Sequence, residues 1–561
     1  MGHDLSNGEE EFADELIKIV GEQYVICDRA RIGQYEQATF ETDQRICLVV
    51  LPASVEEVQA IVRTANRCKM PLYPISRGRN WGLGSRVPAQ SGNCVLDLQR
   101  MNRILEFSEE QAYITVEPGV TFQQVAEFLR EKGSALGFAA IGGPPDSSML
   151  ANALERGDGV GPLGDRARSC CALEAILPNG ERLQTGLAAF SGSLTGHLSP
   201  FGLGPAVEGL FFQSNLAVVT RMTFWLARRP PYFQCVVFAA NSEEELITAN
   251  AEIRKLHQLA ILGDTAYSLW NVFRFLSAQI TFPWQENPPP SPQQLLERLP
   301  ATWQGVRWVG FLGIYAPSFW MAQSQKRIIK RALKGKVNKL LIIDSVTARL
   351  INHFKKPLSK LTGIDVEKMI DAIYFKSIFL GQPTKLEVSS IYWRKRGAPP
   401  KVADPDRDRC GLHWICPSLP FDGKHIARVT RIVENAALAN GLEPMCMFFN
   451  MNQWYLKSFI VIMFDQAVPE EEIAAKKCHD EILLQLNREG YSPVRLGIQS
   501  MHMAPDDPVY VGVVQRLKQM LDPNDILAPG HYDFRTHWQT DDAVIPTQDL
   551  QTTSSQQRVG L

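Results

Sequence analysis

The sequence predicts an α+β fold built from two domains, and three observations predict it. Strand-like and helix-like segments are mixed from residue 45 to about residue 230. A second strand–helix series opens at 233–240, with Ser242, Glu243, Glu244 and Glu245 starting a helix. The 561 residues, 45% hydrophobic and 21% charged, are enough chain for two or three domains with substantial cores.

The first element is the apolar run 46–51, read as a strand that ends at Pro52. Ser54 caps the next helix with Glu57 three residues on, and Val55, Val58, Ile61 and Val62 form its apolar face. Residues 70–73 read as a short strand. They lead into Pro74, Ile75, Ser76, Arg77, Gly78, Arg79, Asn80, Trp81, Gly82, Leu83 and Gly84. Glycine turns backbone N–H groups toward an anion because it tolerates φ > 0 and carries no Cβ, and arginine adds fixed charge. This loop is a candidate pyrophosphate cradle, with a plain surface turn as the alternative. It has neither the Rossmann spacing nor a Walker Gly-Lys-Ser/Thr. Strands follow at 94–98 and 113–117, the second closed by Pro118-Gly119, and 125–129 belongs to a helix. Further on, the proline-rich stretch 282–292 reads as a connecting loop, 326–336 as a solvated basic helix and 396–409 as a charged loop. The segment after Phe534 is polar and reads as poorly ordered.

Bulk properties exclude several function classes. A formal net charge of −2 gives no global attraction for nucleic acid or an anionic membrane. No apolar run approaches the length of a membrane span, and residues 1–11 lack the basic and apolar regions of a secretory signal. The eleven cysteines form no C-x-x-C pair or mixed His/Cys ligand spacing, which argues against a metal site. A reducing, cytoplasmic setting is the expectation.

The loop does not stand alone. Ordered after it are the segments 116–120, 148–157, 161–165, 173–181, 201–205 and 213–220, then 391–396, 411–417, 489–491 and 521–530. Together they resemble the vanillyl-alcohol oxidase and p-cresol methylhydroxylase family over about residues 45–534. The resemblance implies FAD in a two-subdomain flavin domain at 45–230, preceded by a segment at 1–44. It implies an α+β cap at 231–500 and a return to the flavin domain at 501–540, with a polar tail at 541–561. Pro74 to Trp81 would then hold the pyrophosphate, Gly142, Gly143, Met149 and Asn152 would line the flavin and ribityl chain, and Val218 would pack near the adenine. His531 would be a further cofactor contact.

Phenol-oxidising members of that family bind the substrate as phenolate through two tyrosines and an arginine. In this chain Arg495 is kept, with a contact to the flavin as a further expected role, but Leu83 and Val494 stand in the tyrosine positions of the substrate pocket, where Tyr455 is also expected. A buried phenolate would lose about several kcal/mol of compensation there. The expected substrate is therefore not a simple para-phenol. It is a small aromatic, allylic or secondary-metabolite alcohol, amine or activated C–H compound that loses a hydride. Arg495, His413 and Tyr392 are the candidate catalytic residues, and Asp146 is the carboxylate nearest the expected ring position. The stretch 451–459, matching the segment that carries covalent flavin in relatives, has no histidine. It puts Lys457 or Ser458 at the attachment point with Tyr455 close by. Non-covalent FAD is the expectation, and attachment through Tyr455 the alternative. The resemblance further implies O2 or a cytochrome as electron acceptor and a homodimer or larger assembly. Two rivals are a dehydrogenase feeding a cytochrome and a flavin-binding protein with a decayed site.

Overall fold

The computed structural model describes residues 6–534 apart from 287, 386, 387 and 398. The sequence reading of the tail beyond Phe534 falls outside them.

Three sheets follow one another along the chain. The first has strand order Val25–Ile26, Ile46–Val50, Asn93–Asp97, Leu72–Ile75. Its last three strands are parallel and fully or largely buried, so they read as unbroken apolar runs. The helix Val55–Cys68 starts where the spacing predicts, with Ser54 Oγ accepting from the Glu57 N–H. The segment before residue 45, read from sequence as separate, is part of this sheet. Val25 and Ile26 pair with Val50 and Val49, and the helix Asn7–Val20 packs Phe12 and Leu16 into the same core. The strand read at 70–73 is shifted to Leu72–Ile75, which carries the chain straight into Ser76.

The second sheet is antiparallel, in the order Ile104–Ser108, Tyr113–Val116, Val218–Trp225, Cys170–Ile176, Arg182–Gln184. The third has eight antiparallel strands. Its central members are Tyr267–Asn271, Met445–Asn450, Tyr455–Asp465 and Cys410–Pro420, with Pro493–Arg495 at one edge. Four helices, Glu243–Gln258, Phe319–Leu333, Gly423–Ala439 and Pro469–Arg488, cover one face of it and bury the largest apolar cluster. The other face is partly covered by the helix Val272–Gln279 and neighbouring segments, and the rest of it lines a cavity.

The chain then returns to its start. After the helix Pro508–Leu521, the Leu72 N–H donates to Ile526 O (2.6 Å) and the Ala528 N–H to Leu72 O (2.7 Å). Lys518, buried at 4% exposure, fixes this return by donating to Asp522, Asn215 O and Leu527 O. Among the described residues no helix is long and apolar enough to cross a membrane and no cluster could hold a metal ion. None of the eleven cysteines is bridged.

Candidate active site

A cavity lies between segments of the first two sheets and part of the second face of the third. Its lining includes Ala217 and Val218, the loop residues Pro74, Ile75, Ser76, Arg77, Gly78, Arg79, Asn80 and Trp81 with Gly142 and Gly143, and residues of the third sheet.

The glycine-rich loop has the geometry an anion cradle requires. Gly78 and Gly82 have φ of +61° and +78°, in the left-handed region that side chains disfavour. A Cβ on Gly82 would collide with the Trp414 ring, and the Trp414 backbone N–H donates to Gly82 O (3.1 Å). The two arginines are not equivalent. Arg79 donates to Asp146 Oδ2 (3.0 Å) and to Asp404 Oδ2 (2.8 Å), so its charge is already balanced by two carboxylates. It joins three segments while lining the cavity, and Asp146 is one of its two partners. Arg77, which gives one N–H to Asp146 O (3.3 Å), and the backbone of 76–80 face the cavity.

Next along the wall, Ser148 caps the short helix Met149–Leu154, whose Leu150, Ala151 and Asn152 border the cavity. Met149 does not. It points into the apolar core beside Phe122 and Leu173 at 2% exposure, because consecutive helical residues face different sides. Asn152 is held by the buried Arg166, whose Nε donates to Asn152 Oδ1 (2.6 Å) while Nη1 donates to Ala139 O.

A charged group closes the cavity where the sheets meet. Arg495 Nη2 donates to Asn80 Oδ1 (2.7 Å), and its Nε lies 3.6 Å from Glu155 Oε2. His531 Nε2 is 3.2 Å from Glu155 Oε1. Burial works to raise the Glu155 carboxyl, but the His531 hydrogen bond and the charges of His531 and Arg495 outweigh it and hold it below its usual value. Lys457 and Asp158 form a second buried pair. Lys457 Nζ donates to both Asp158 oxygens (2.8 and 2.9 Å) and to Arg156 O (3.2 Å). Burial works to lower the Lys457 ammonium, and Asp158 overcomes it and keeps it raised.

The third sheet presents every second residue. Leu412, Trp414 and Cys416 on one strand, Lys457, Phe459, Val461 and Met463 on the next, Met447 and Phe449 on a third, and Trp270 face the cavity. Leu83, Val494 and Arg495 also lie on it. The same alternation overturns His413 as a candidate catalytic residue. It points to the helix-covered face, stacked on Phe40 (ring centroids 4.8 Å apart) and 5.1 Å from the His479 ring, and burial lowers its pKa well below the usual histidine value. Tyr392 is displaced too. Its hydroxyl donates to Asp408 Oδ2 (2.6 Å), and it is Ser390 and Ile391 that reach the cavity. Tyr455, at the start of its strand opposite Pro420, is outside the lining, and Ser458 turns away to donate to Met447 O.

Sequence reasoning missed Glu155, Asp158, Asp406 and the wall residues Trp414 and Phe459. The nearly unbroken apolar runs 410–420 and 455–465 mark strands, but not which of their residues form the wall. Nothing local marks the three carboxylates.

These residues fit a two-ended cofactor carrying a diphosphate. The loop is open to an anion at its middle, and small residues allow close approach at Gly142, Gly143 and Ala151. Two buried polar atoms on the lining, Trp414 Nε1 and His531 Nδ1, have no protein partner among the described residues.

The comparisons agree with this geometry. The family described as FAD binding domain matches residues 47–186. A 1'-carboxy-chondrochloren decarboxylase of Chondromyces crocatus is 41% identical over 93% of this chain and 96% of its own length. The flavoprotein subunit of a hydroxylating 4-cresol dehydrogenase from Pseudomonas putida is 26% identical over 91% of this chain and 93% of its own. Among solved structures, a substrate-bound p-cresol methylhydroxylase superposes with a TM-score of 0.82 at 23% identity, covering 95% of this chain and 98% of the other. A 4-ethylphenol oxidase from Gulosibacter chungangensis gives 0.81 at 24% identity, over 94% and 98%. With matches along nearly the whole chain, and a cavity shaped for the cofactor at their centre, this protein is an FAD-dependent oxidoreductase and belongs to the p-cresol methylhydroxylase-type family of FAD-linked enzymes.

Proposed function

We propose that this enzyme oxidises a carboxylated, partly aromatic secondary metabolite with loss of CO2, using non-covalently held FAD. The observation that carries the reading is the 41% identity, along nearly the full chain, to a protein named as a decarboxylase of a carboxylated metabolite. FAD, when bound, supplies a two-electron acceptor for a hydride. The balance is simple. One substrate carbon gives up a hydride while its neighbour loses CO2, and the electron pair of the broken C–COO⁻ bond becomes the second bond of a new C=C. No proton has to be removed, so the protein need not supply a base.

The cavity suits that demand. Its titratable groups are engaged with one another, Glu155 with His531 and Arg495, and Asp158 with Lys457. Leu83 and Val494 put aliphatic surface where a phenolate would need donors, and a carboxylate shed of water against such surface gives up CO2 more readily. Trp270, Phe449 and Phe459 offer faces for an aromatic or long apolar substrate body. Ser76, Arg77, Asn80 and Asn152 would hold the cofactor. Non-covalent binding is supported at Lys457, whose nitrogen has all three N–H donors committed and no lone pair to attack with.

The test is anaerobic mixing with N-acyl aromatic amino acids and the matching amino alcohols. The reading expects flavin bleaching by the acids with one CO2 released per flavin reduced. Bleaching by the alcohols alone, or bleaching by acids without CO2, overturns it. A second reading, hydride removal without decarboxylation and electron transfer to a cytochrome, is favoured by the relative named as a dehydrogenase flavoprotein subunit. Peroxide formed in air during turnover would count against a cytochrome as obligatory acceptor.

A further inference from the structure

The charged loop at 399–409 reaches from the third sheet across to the glycine-rich loop and holds it at several points. Asp404 Oδ2 accepts from Arg79 Nη1 at 2.8 Å. Asp406 accepts from Trp81 Nε1 (3.0 Å) and Ser85 Oγ (2.7 Å). Asp408 braces the loop from within, taking the Asp404 N–H (2.9 Å) and the Tyr392 hydroxyl. We propose that Asp404 and Asp406 are cofactor-positioning residues: by gripping Arg79, Trp81 and Ser85 on both sides of Gly82, they keep the phosphate-facing loop in its binding shape and govern how tightly FAD is retained.

The gripped residues are the ones that need holding. Gly78 and Gly82 give the loop positive-φ turns and the greatest conformational freedom, so an unsupported loop would pay that entropy each time FAD bound. Each grip is long-range, more than 320 residues apart in sequence, and therefore exists only when the third sheet is docked on the flavin-binding sheets. A strap of this kind does by tertiary contact what a covalent link to flavin would do by a bond.

The strap is also tuned. Asp406 is 6% exposed. Burial pushes its carboxyl up to about 7; the Ser85 bond opposes this, the negative Asp404 adds to it, and Arg86 and the Trp81 bond oppose it. The charged groups around it are Asp404 and Asp408 on its own loop, Arg79 and Arg86 on the glycine-rich loop, and Asp146 behind Arg79. When protonated, Asp406 can donate to Ser85 Oγ and still accept from Trp81, so both grips survive. When ionised, it places a second negative charge beside Asp404 and close to the loop that receives a diphosphate. A carboxyl with a raised folded pKa holds its proton in the closed state where the free group would have lost it. Its contribution is therefore present at low pH and fades as pH rises toward 7. FAD retention should weaken over the same range and change little above it.

The experiment reconstitutes apoprotein with FAD from pH 5.5 to 8.5 and measures the dissociation constant and release rate by flavin fluorescence. For the wild type, affinity should fall as pH rises to about 7, by up to about tenfold per unit, and level off above it. Asp406→Asn, which mimics the protonated acid, should give a flat profile at the low-pH wild-type level. Asp404→Ala should release FAD faster at every pH. Trp81→Phe, which removes a grip without changing charge, should speed release at pH 6. Circular dichroism of each apoprotein checks that it is folded. A flat wild-type profile, an unchanged slope in Asp406→Asn, or release from Asp404→Ala and Trp81→Phe as slow as from wild type overturns the proposal.

Discussion

Replacing Lys457 by methionine isolates the energetics of the cavity wall. The ammonium and the Asp158 carboxylate are 6% and 8% exposed, and the three N–H donors all end on Asp158 or Arg156 O. Methionine fills much the same space and removes only the charge. Asp158 is then left buried without its cation, and it cannot move away. It lies between Gly157 and Gly159, where even a Cβ at 159 would run into Arg166 and Ala139 O. Removing one member of such a pair costs about 3–5 kcal/mol, whereas replacing both members by apolar groups is about neutral. Lys457→Met should therefore lower the urea midpoint sharply, and Lys457→Met/Asp158→Leu should recover most of the loss. The cost should depend on pH. Burial is already the largest influence on Asp158 and raises its carboxyl against the pull of Lys457, so without the lysine it rises further. A raised acid is protonated in the folded state at low pH, so the variant regains stability as pH falls and loses it as pH rises. The penalty at pH 8 should exceed that at pH 5. A loss below about 1 kcal/mol at pH 8, in the range of an exposed pair, or a double variant weaker than the single one, would refute this account.

Three further outcomes are expected. Leu83→Tyr/Val494→Tyr should bind p-cresol about tenfold or more tighter than wild type, read from flavin spectral perturbation, since hydrogen bonds to a charged oxygen contribute about 1.5–3 kcal/mol each; unchanged binding would place both positions outside the substrate's reach. His413→Phe should raise stability by about 1 kcal/mol, because both ring nitrogens are buried without partners, and should leave the rate of flavin reduction unchanged; a large fall in that rate at wild-type stability would return His413 to the chemistry. Tyr392→Phe should cost about 1 kcal/mol through the lost bond to Asp408, again with no change in the reduction rate.

The parts of this structure that were legible in the sequence are those set by local chemistry. Ser54 and Glu57 mark a real helix start, and the strand read at 233–240 lies within Tyr232–Ala240. Gly78 and Gly82 do adopt positive φ. What failed was orientation. In 411–417 every residue is compatible with a strand, and nothing in that stretch says whether His413 or Trp414 faces the cavity. The helices that cover one side of the sheet decide it, and one of them lies at Pro469–Arg488. The edge strand Val25–Ile26 was missed because two residues carry no period. Asp404 and Asp406 were read as part of a charged loop, since their partners are more than 320 positions away.

Arg495 shows why a kept residue is weak evidence of a kept reaction. Beside Leu83 and Val494, the family resemblance offers it as a remnant of phenolate binding. In the structure it already has three duties that any substrate would leave in place. Its strand pairs with the wall strand at Cys416, its Nη2 fixes Asn80 of the cofactor loop, and its charge helps hold Glu155 ionised opposite His531. Leu83 and Val494 line the same cavity with aliphatic side chains. The presence of Arg495 is therefore accounted for by these contacts whichever substrate the cavity accepts.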